Sequence, residues 1–290
     1  MPLPSLAPTD RFIAIWQALG PDPIGRARDL LGERARGLTV ALVRGYLGNY
    51  MRGNLVPARD ALRAAGVDAF IAGNRAGATV ADNARRVARA IVKRLDRSGD
   101  GRTLVLGGHS KGGLECLRAL VDTPRIAERA RAVLLSQTPR GPSAVLESLL
   151  LREHQASLGR RRRWAERAQR LGITLLRARR GGLELTRRHL PSVVADLDDA
   201  LAEHGAGVPI IQTASWSTRP TVWLDSFHER LGEIRPGAAH DGQFYLEDLI
   251  WPGRDHVLLP HLDHAQPVMD GYGFDSARYW LALVVLVTCG

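Results

Sequence analysis

The chain is predicted to fold as an α/β domain: a mostly parallel central sheet with helices on both faces, interrupted by one helical insert. Three observations carry this expectation. Short apolar runs alternate with amphipathic stretches of helical length, the rhythm of successive βαβ units. The runs are apolar throughout, as strands covered on both faces must be. The rhythm breaks once, after "TPRGPS" (138–143), and resumes near residue 206. A chain of 290 residues with 45% apolar residues can bury a sizeable core as a single domain.

Residues 1–36 read as a helical arm, with "RFIAIWQAL" as its apolar stripe. "LTVALV" (38–43) is the first strand, ending before Gly45. "NLVPARDALRAAG" is a helix that stops at Gly66, and "DAFIA" (68–72) is the second strand. Thr79 followed by Asp82 is an N-terminal cap signal for the amphipathic helix "VADNARRVARAIVKRL". "TLVLG" (103–107) is the third strand, "GLECLRALV" a helix and "AVLLS" (132–136) the fourth strand. Residues 144–205 contain only helical patterns and form the insert, so the core is expected over 37–143 and 206–290. "VPIIQTAS" (208–215) and "HVLLP" (256–260) are further strands, and "DSARYWLALVVLV" is a closing helix capped by Asp275 or Ser276.

The formal net charge is +10. Only Lys93 and Lys111 are lysines, and residues 151–190 hold twelve arginines against three acids, nearly the whole net charge. Charge of this kind bears on solubility and non-specific association, and no nucleic-acid recognition motif accompanies it. No nucleic-acid partner is expected. A basic amphipathic insert could instead meet an anionic membrane or lipid surface. Cys116 and Cys289 form no framework. The N-terminus lacks a basic start followed by an apolar core, and the longest apolar run, "WLALVVLV", is far shorter than the about 20 residues that span a bilayer. A cytoplasmic setting is the expectation.

The chemistry concentrates in "LVLGGHSKGG" (104–113), where a strand meets a helix. A serine hydroxyl is a poor nucleophile at neutral pH and needs exposure, a base and oxyanion donors. The pattern Gly108-His109-Ser110-Lys111-Gly112 supplies exposure at a sharp strand–helix bend with small flanking residues. Neither G-x-G-x-x-G nor G-x-x-x-x-G-K-[ST] occurs here, which argues against a phosphate-cradling loop.

With this elbow in its strand–turn–helix context, the chain resembles the α/β-hydrolase superfamily and within it the bacterial lipase and esterase branch. The resemblance covers roughly residues 38–143 and 207–288, and it implies an α/β-hydrolase fold with a helical cap or lid formed by the insert. Ser110 is then the nucleophile. "VRGYLGN" (43–49) stands where the family has a His-Gly-type oxyanion loop, with Arg44 replacing the usual histidine. The implied oxyanion donors are the backbone N–H groups of Tyr46 and Lys111. "SQTPRGPSAV" is similar to the segment that leads into the family's cap. Asp-Gly in "AAHDGQFYLEDL" resembles the family's acid loop and makes Asp241 the orienting carboxylate, with Asp225 in reserve. "LPHLDHAQPV" resembles the final loop and makes His264 the base, with His261 in reserve. Metal catalysis by His256, His261, His264 and Asp263 is disfavoured because no zinc-type spacing is present. No cofactor is expected.

The resemblance implies a carboxylic-ester hydrolase of lipase or esterase type, with a small-molecule or lipid acyl ester as substrate. An acyltransferase or thioesterase would use the same three residues, and a hydrolase-fold binding protein would use none of them.

Overall fold

The structure, a computed structural model, describes residues 7–98, 101–151, 160–204, 207–218 and 225–289. Its centre is a six-stranded sheet built from β1 (Leu38–Val43), β2 (Asp68–Ala72), β3 (Thr103–His109), β4 (Ala130–Ser136), β5 (Ile210–Trp216) and β6 (Asp255–Pro260). The strand order is β2-β1-β3-β4-β5-β6, and every pairing is parallel. The expected strands are all present, with shifts of one or two residues at their ends.

Among the described residues twelve α-helices accompany the sheet: α1 (Ala7–Leu19), α2 (Pro23–Leu31), α3 (Val56–Ala64), α4 (Val80–Ser98), α5 (Lys111–Asp122), α6 (Pro124–Arg129), α7 (Ala144–Leu150), α8 (Arg160–Leu175), α9 (Arg179–Leu183), α10 (Leu190–His204), α11 (Asp225–Ile234) and α12 (Ser276–Cys289). Parallel neighbours require crossover helices, and right-handed crossovers to opposite sides of β1 place α3 and α4 on opposite faces. Strand residues therefore alternate between two cores. Ala41, Val43, Leu104, Leu106, Val133 and Leu135 pack on the α4–α5 side. Val40, Leu42, Val105 and Leu134 pack on the side of α3 and α12. This two-sided burial explains why the strand sequences are apolar at nearly every position.

The N-terminal arm is part of that second core. Phe12, Leu19, Ala27 and Leu31 are buried with α12, and Arg278 donates to the Trp16 carbonyl. Helix α12 is apolar on all sides because it is covered by α1, α2 and α3 while lying on the sheet. Asp275 caps it through the Arg278 N–H at 2.8 Å. Thr79 Oγ1 accepts from Asp82 N at 3.1 Å at the start of α4, as the capping signal predicts.

The described residues of the insert form α7 to α10. It is sutured to the core at several points. Ser143 N donates to Leu185 O at 2.8 Å and Tyr46 Oη donates to Ala178 O at 3.0 Å; within the insert itself, the buried Glu147 receives a bidentate grip from Arg187. Residues 152–159, and the side chains of 160–166 that carry the "RRRR" run, lie outside the described residues. Among the described residues, no helix is long and apolar enough to cross a membrane.

Candidate active site

In open α/β sheets, ligands bind beyond the carboxyl ends of the strands where the strand order reverses. Here that point lies between β1 and β3: the chain leaves β1 for β2 on one side and leaves β3 for β4 on the other. The loops after β1 and β3 meet there and carry Gly45 and Ser110.

Ser110 forms the bend between β3 and α5 with φ 53° and ψ −130°. Positive φ in a non-glycine residue costs on the order of 1–3 kcal/mol and persists only when its surroundings over-determine it. They do so here. Ser110 N donates to Ser136 O at 2.8 Å, and the flanking glycines admit backbone that a side chain would block. A Cβ on Gly108 would stand 2.5 Å from Gly113 N, and one on Gly112 would stand 2.5 Å from Val43 O. The bend therefore presents the hydroxyl at the floor of a cavity of about 270 Å³.

The imidazole of His264 lines the same cavity. Its Nδ1–H donates to Asp241 Oδ2 at 2.7 Å, because a carboxylate can only accept. Nε2 is left as the free lone pair. Asp241 is fully buried, and its Oδ1 accepts from Gln243 N and Phe244 N, both at 2.9 Å. His264 N donates to Asp241 O at 2.8 Å, tying the two loops together a second time. Ser110 Oγ makes no hydrogen bond among the described residues; such contacts commonly close only when substrate is bound.

The reserve candidates do not join this group. His261 is exposed and has φ 62°, a left-handed turn directly after β6 that leaves it on the surface before the chain dives to His264. Asp225 begins α11, and its side chain lies outside the described residues. His256 is buried in β6, and its Nε2 accepts from Trp251 N at 3.0 Å. Among the described residues no group of three or more His, Cys, Asp or Glu could hold a metal ion.

The loop after β1 packs directly against the serine: a Cβ on Gly45 would stand 2.9 Å from Ser110 Cβ. The N–H groups of Tyr46 and Lys111 have no acceptor among the described residues. The loop is held from behind. Asn74 Nδ2 donates to Arg44 O at 2.7 Å and to Glu115 Oε2 at 2.8 Å, and Asn83 Nδ2 donates to Glu115 Oε1 at 2.7 Å. Glu115 is fully buried, and burial pushes its carboxyl up to about 7 against the opposing pull of Lys111 and the two asparagines. The Lys111 side chain is also buried. Its Nζ donates to Ala78 O at 2.6 Å and lies 3.1 Å from Glu184 of the insert, pinning the insert to the elbow.

Several of these residues escaped the sequence reading. His109 Nε2–H donates to His264 O at 2.8 Å, and burial together with the adjacent His264 pushes His109 down to about 3, so it stays neutral. Gln137 Nε2 donates to Asp263 O at 2.9 Å, and Trp280 Nε1 to Pro267 O at 2.9 Å. These three donors hold the histidine loop in place. The available signal was position: His109 and Gln137 stand at the ends of β3 and β4, where site residues cluster.

The cavity above the serine is apolar. Val145, Leu146, Leu149, Ile173 and Leu185 of the insert roof it, opposite Tyr46, Phe244 and Val268 of the core.

A doubly covered parallel sheet ordered about β1, a strained serine after β3 and a carboxylate–imidazole pair after β5 and β6 decide the architecture. The chain has the α/β-hydrolase fold. No family model and no curated protein matches the sequence. Solved structures of an esterase, a lipase and a phospholipase do resemble it. The metagenomic carboxyl esterase MGS0156 superposes with a TM-score of 0.64 at 20% identity, covering 87% of this chain and 76% of the esterase. The mature lipase BlEst2 from Bacillus licheniformis gives 0.55 at 15% identity, covering 78% and 84%. Phospholipase PlaB from Legionella pneumophila gives 0.60 at 12% identity, covering 86% of this chain and 59% of the phospholipase. Likeness at this identity establishes the α/β-hydrolase fold; the chemistry rests on the residues themselves.

Proposed function

We propose that the protein is a serine hydrolase that cleaves carboxylic esters through Ser110, His264 and Asp241. The observation that carries this reading is the 2.7 Å Asp241–His264 pair opening onto the cavity that the strained Ser110 lines. With Nδ1–H held by Asp241, Nε2 is free to take the Ser110 proton as the hydroxyl attacks an acyl carbon. The oxygen that becomes negative is received by the N–H groups of Tyr46 and Lys111, the second at the positive end of α5. The ester alcohol leaves with the proton from His264. Water then gives a proton to His264 as its oxygen attacks the acyl carbon, and His264 returns that proton to Ser110 Oγ as the acyl–Oγ bond breaks and the acid leaves. The apolar roof supports an acyl chain as the group bound above the serine, and the esterase, lipase and phospholipase that the fold resembles agree with that substrate class.

The test is covalent labelling by a fluorophosphonate together with turnover of p-nitrophenyl esters across chain lengths. Both are expected for the native chain, and both should vanish in Ser110→Ala while the Tm is unchanged. Labelling that survives the substitution would place the nucleophile elsewhere.

A further inference from the structure

A second concavity lies beside the acyl cavity, separated from it by Leu176, which lines both. Its volume is about 710 Å³, and its walls carry six arginines: Arg75, Arg85, Arg86, Arg89, Arg177 and Arg180. Asp82, which pairs with Arg85 and stands 3.7 Å from Arg180, is the one acid in the lining. Arg75, Arg86, Arg89 and Arg177 have no carboxylate partner among the described residues. So many like charges around one groove repel each other unless an anion joins them.

The groove walls are fixed. The Arg177 segment packs so closely on Gly77 that a Cβ there would collide with Arg177 O, and Tyr50 Oη donates to Leu176 O at 3.3 Å. Arg177 itself has φ 51°, at the position where α8 ends and a glycine is the inexpensive choice. An arginine side chain is thus held over the groove at a backbone cost.

We propose that this groove binds a multiply charged phosphate group. Guanidinium forks match the oxygens of a phosphate in paired hydrogen bonds, and several of them around one concavity suit its multiple negative charge better than a single carboxylate. Between the arginines the lining also carries two apolar side chains, Leu176 and the exposed Tyr50. The ligand is therefore either the headgroup of an anionic lipid or a free phosphate compound. Only Arg177 and Arg180 come from the insert; the other four belong to α4 and the loop before it. The site does not depend on the ester reading, since neither Ser110, Asp241 nor His264 lines the groove.

Two probes separate the sources. Pyrophosphate is titrated while the Tm is followed, and sedimentation is measured with phosphatidylcholine vesicles with and without phosphatidic acid, all at physiological salt to suppress non-specific attraction. Binding of either probe to the native chain supports the site. Vesicles alone would assign it to lipid, and pyrophosphate alone to a free phosphate. Arg86→Ala with Arg89→Ala should weaken binding roughly ten-fold or more. Arg177→Gly should do the same while keeping or raising the Tm, because it relieves the left-handed backbone, so its lost binding cannot be lost folding. Turnover of a neutral, soluble ester should be unchanged in both variants. Failure of both probes to bind the native chain, or undiminished binding in both variants, would overturn the proposal.

Discussion

Replacing Glu115 by Gln should change how the stability of the protein depends on pH. Glu115 lies one turn beyond Lys111 on α5 and titrates near 7 in the folded chain, chiefly because burial disfavours its charge, against an ordinary value of 4.5. A raised folded value means that its stabilising contribution is complete below about 4.5 and is lost as the pH rises through 7. At about 1.4 kcal/mol per pH unit the loss is on the order of 3 kcal/mol. His109 works in the opposite sense. Its folded value is pushed down to about 3 from 6.5, so its contribution is complete above 6.5 and is lost as the pH falls. The native curve superposes the two, and the difference between the native chain and Glu115→Gln isolates the carboxyl. Urea unfolding across the range 4.5 to 7 should show Glu115→Gln gaining about 3 kcal/mol on the native chain toward the upper end. A difference that does not vary with pH would refute the assignment of a protonated, desolvated carboxyl at this position.

Asp241→Asn keeps the oxygen that receives Gln243 and Phe244 but turns an N–H toward His264 Nδ1, reversing the imidazole tautomer; ester turnover should fall about 10³–10⁴-fold with little change in KM. In Gly45→Ala, the new Cβ would stand 2.9 Å from Ser110 Cβ and 3.0 Å from His109 Nδ1. This should cost about 1–3 kcal/mol in urea unfolding and reduce turnover. Gly172 lines the cavity, and a Cβ there would meet nothing within 4 Å. Gly172→Leu should raise the Tm of α8, where glycine costs about 1 kcal/mol relative to alanine, and shift p-nitrophenyl ester preference toward shorter chains.

Local patterns made most of the fold readable. The β strands declare themselves because both sheet faces are covered, and the elbow because Gly108 and Gly112 leave room for backbone at 2.5 Å. The choice between His261 and His264 was harder. Two residues separate them, and the left-handed turn at His261 that decides which one is buried has no glycine to announce it. The supports of the site were not readable. The His109–His264 and Gln137–Asp263 bonds span 155 and 126 residues, so their partners share no spacing or period. Helix α6 was missed for a different reason: six residues opened by a proline show too little periodicity to stand out from a loop. The Lys111–Glu184 pair likewise joins a buried lysine to a half-buried glutamate, two charges that composition alone would leave in water.

The segment bearing His264 belongs to no strand or long helix, yet partners from distant parts of the chain grip it: His109 at its carbonyl, Gln137 at Asp263, Trp280 at Pro267 and Leu55 at Val268. Each of those anchors could let go without unzipping any of the six strands. The imidazole therefore hangs on anchors that are independent of the strand ladders, and warming should abolish ester turnover some degrees before the sheet itself melts.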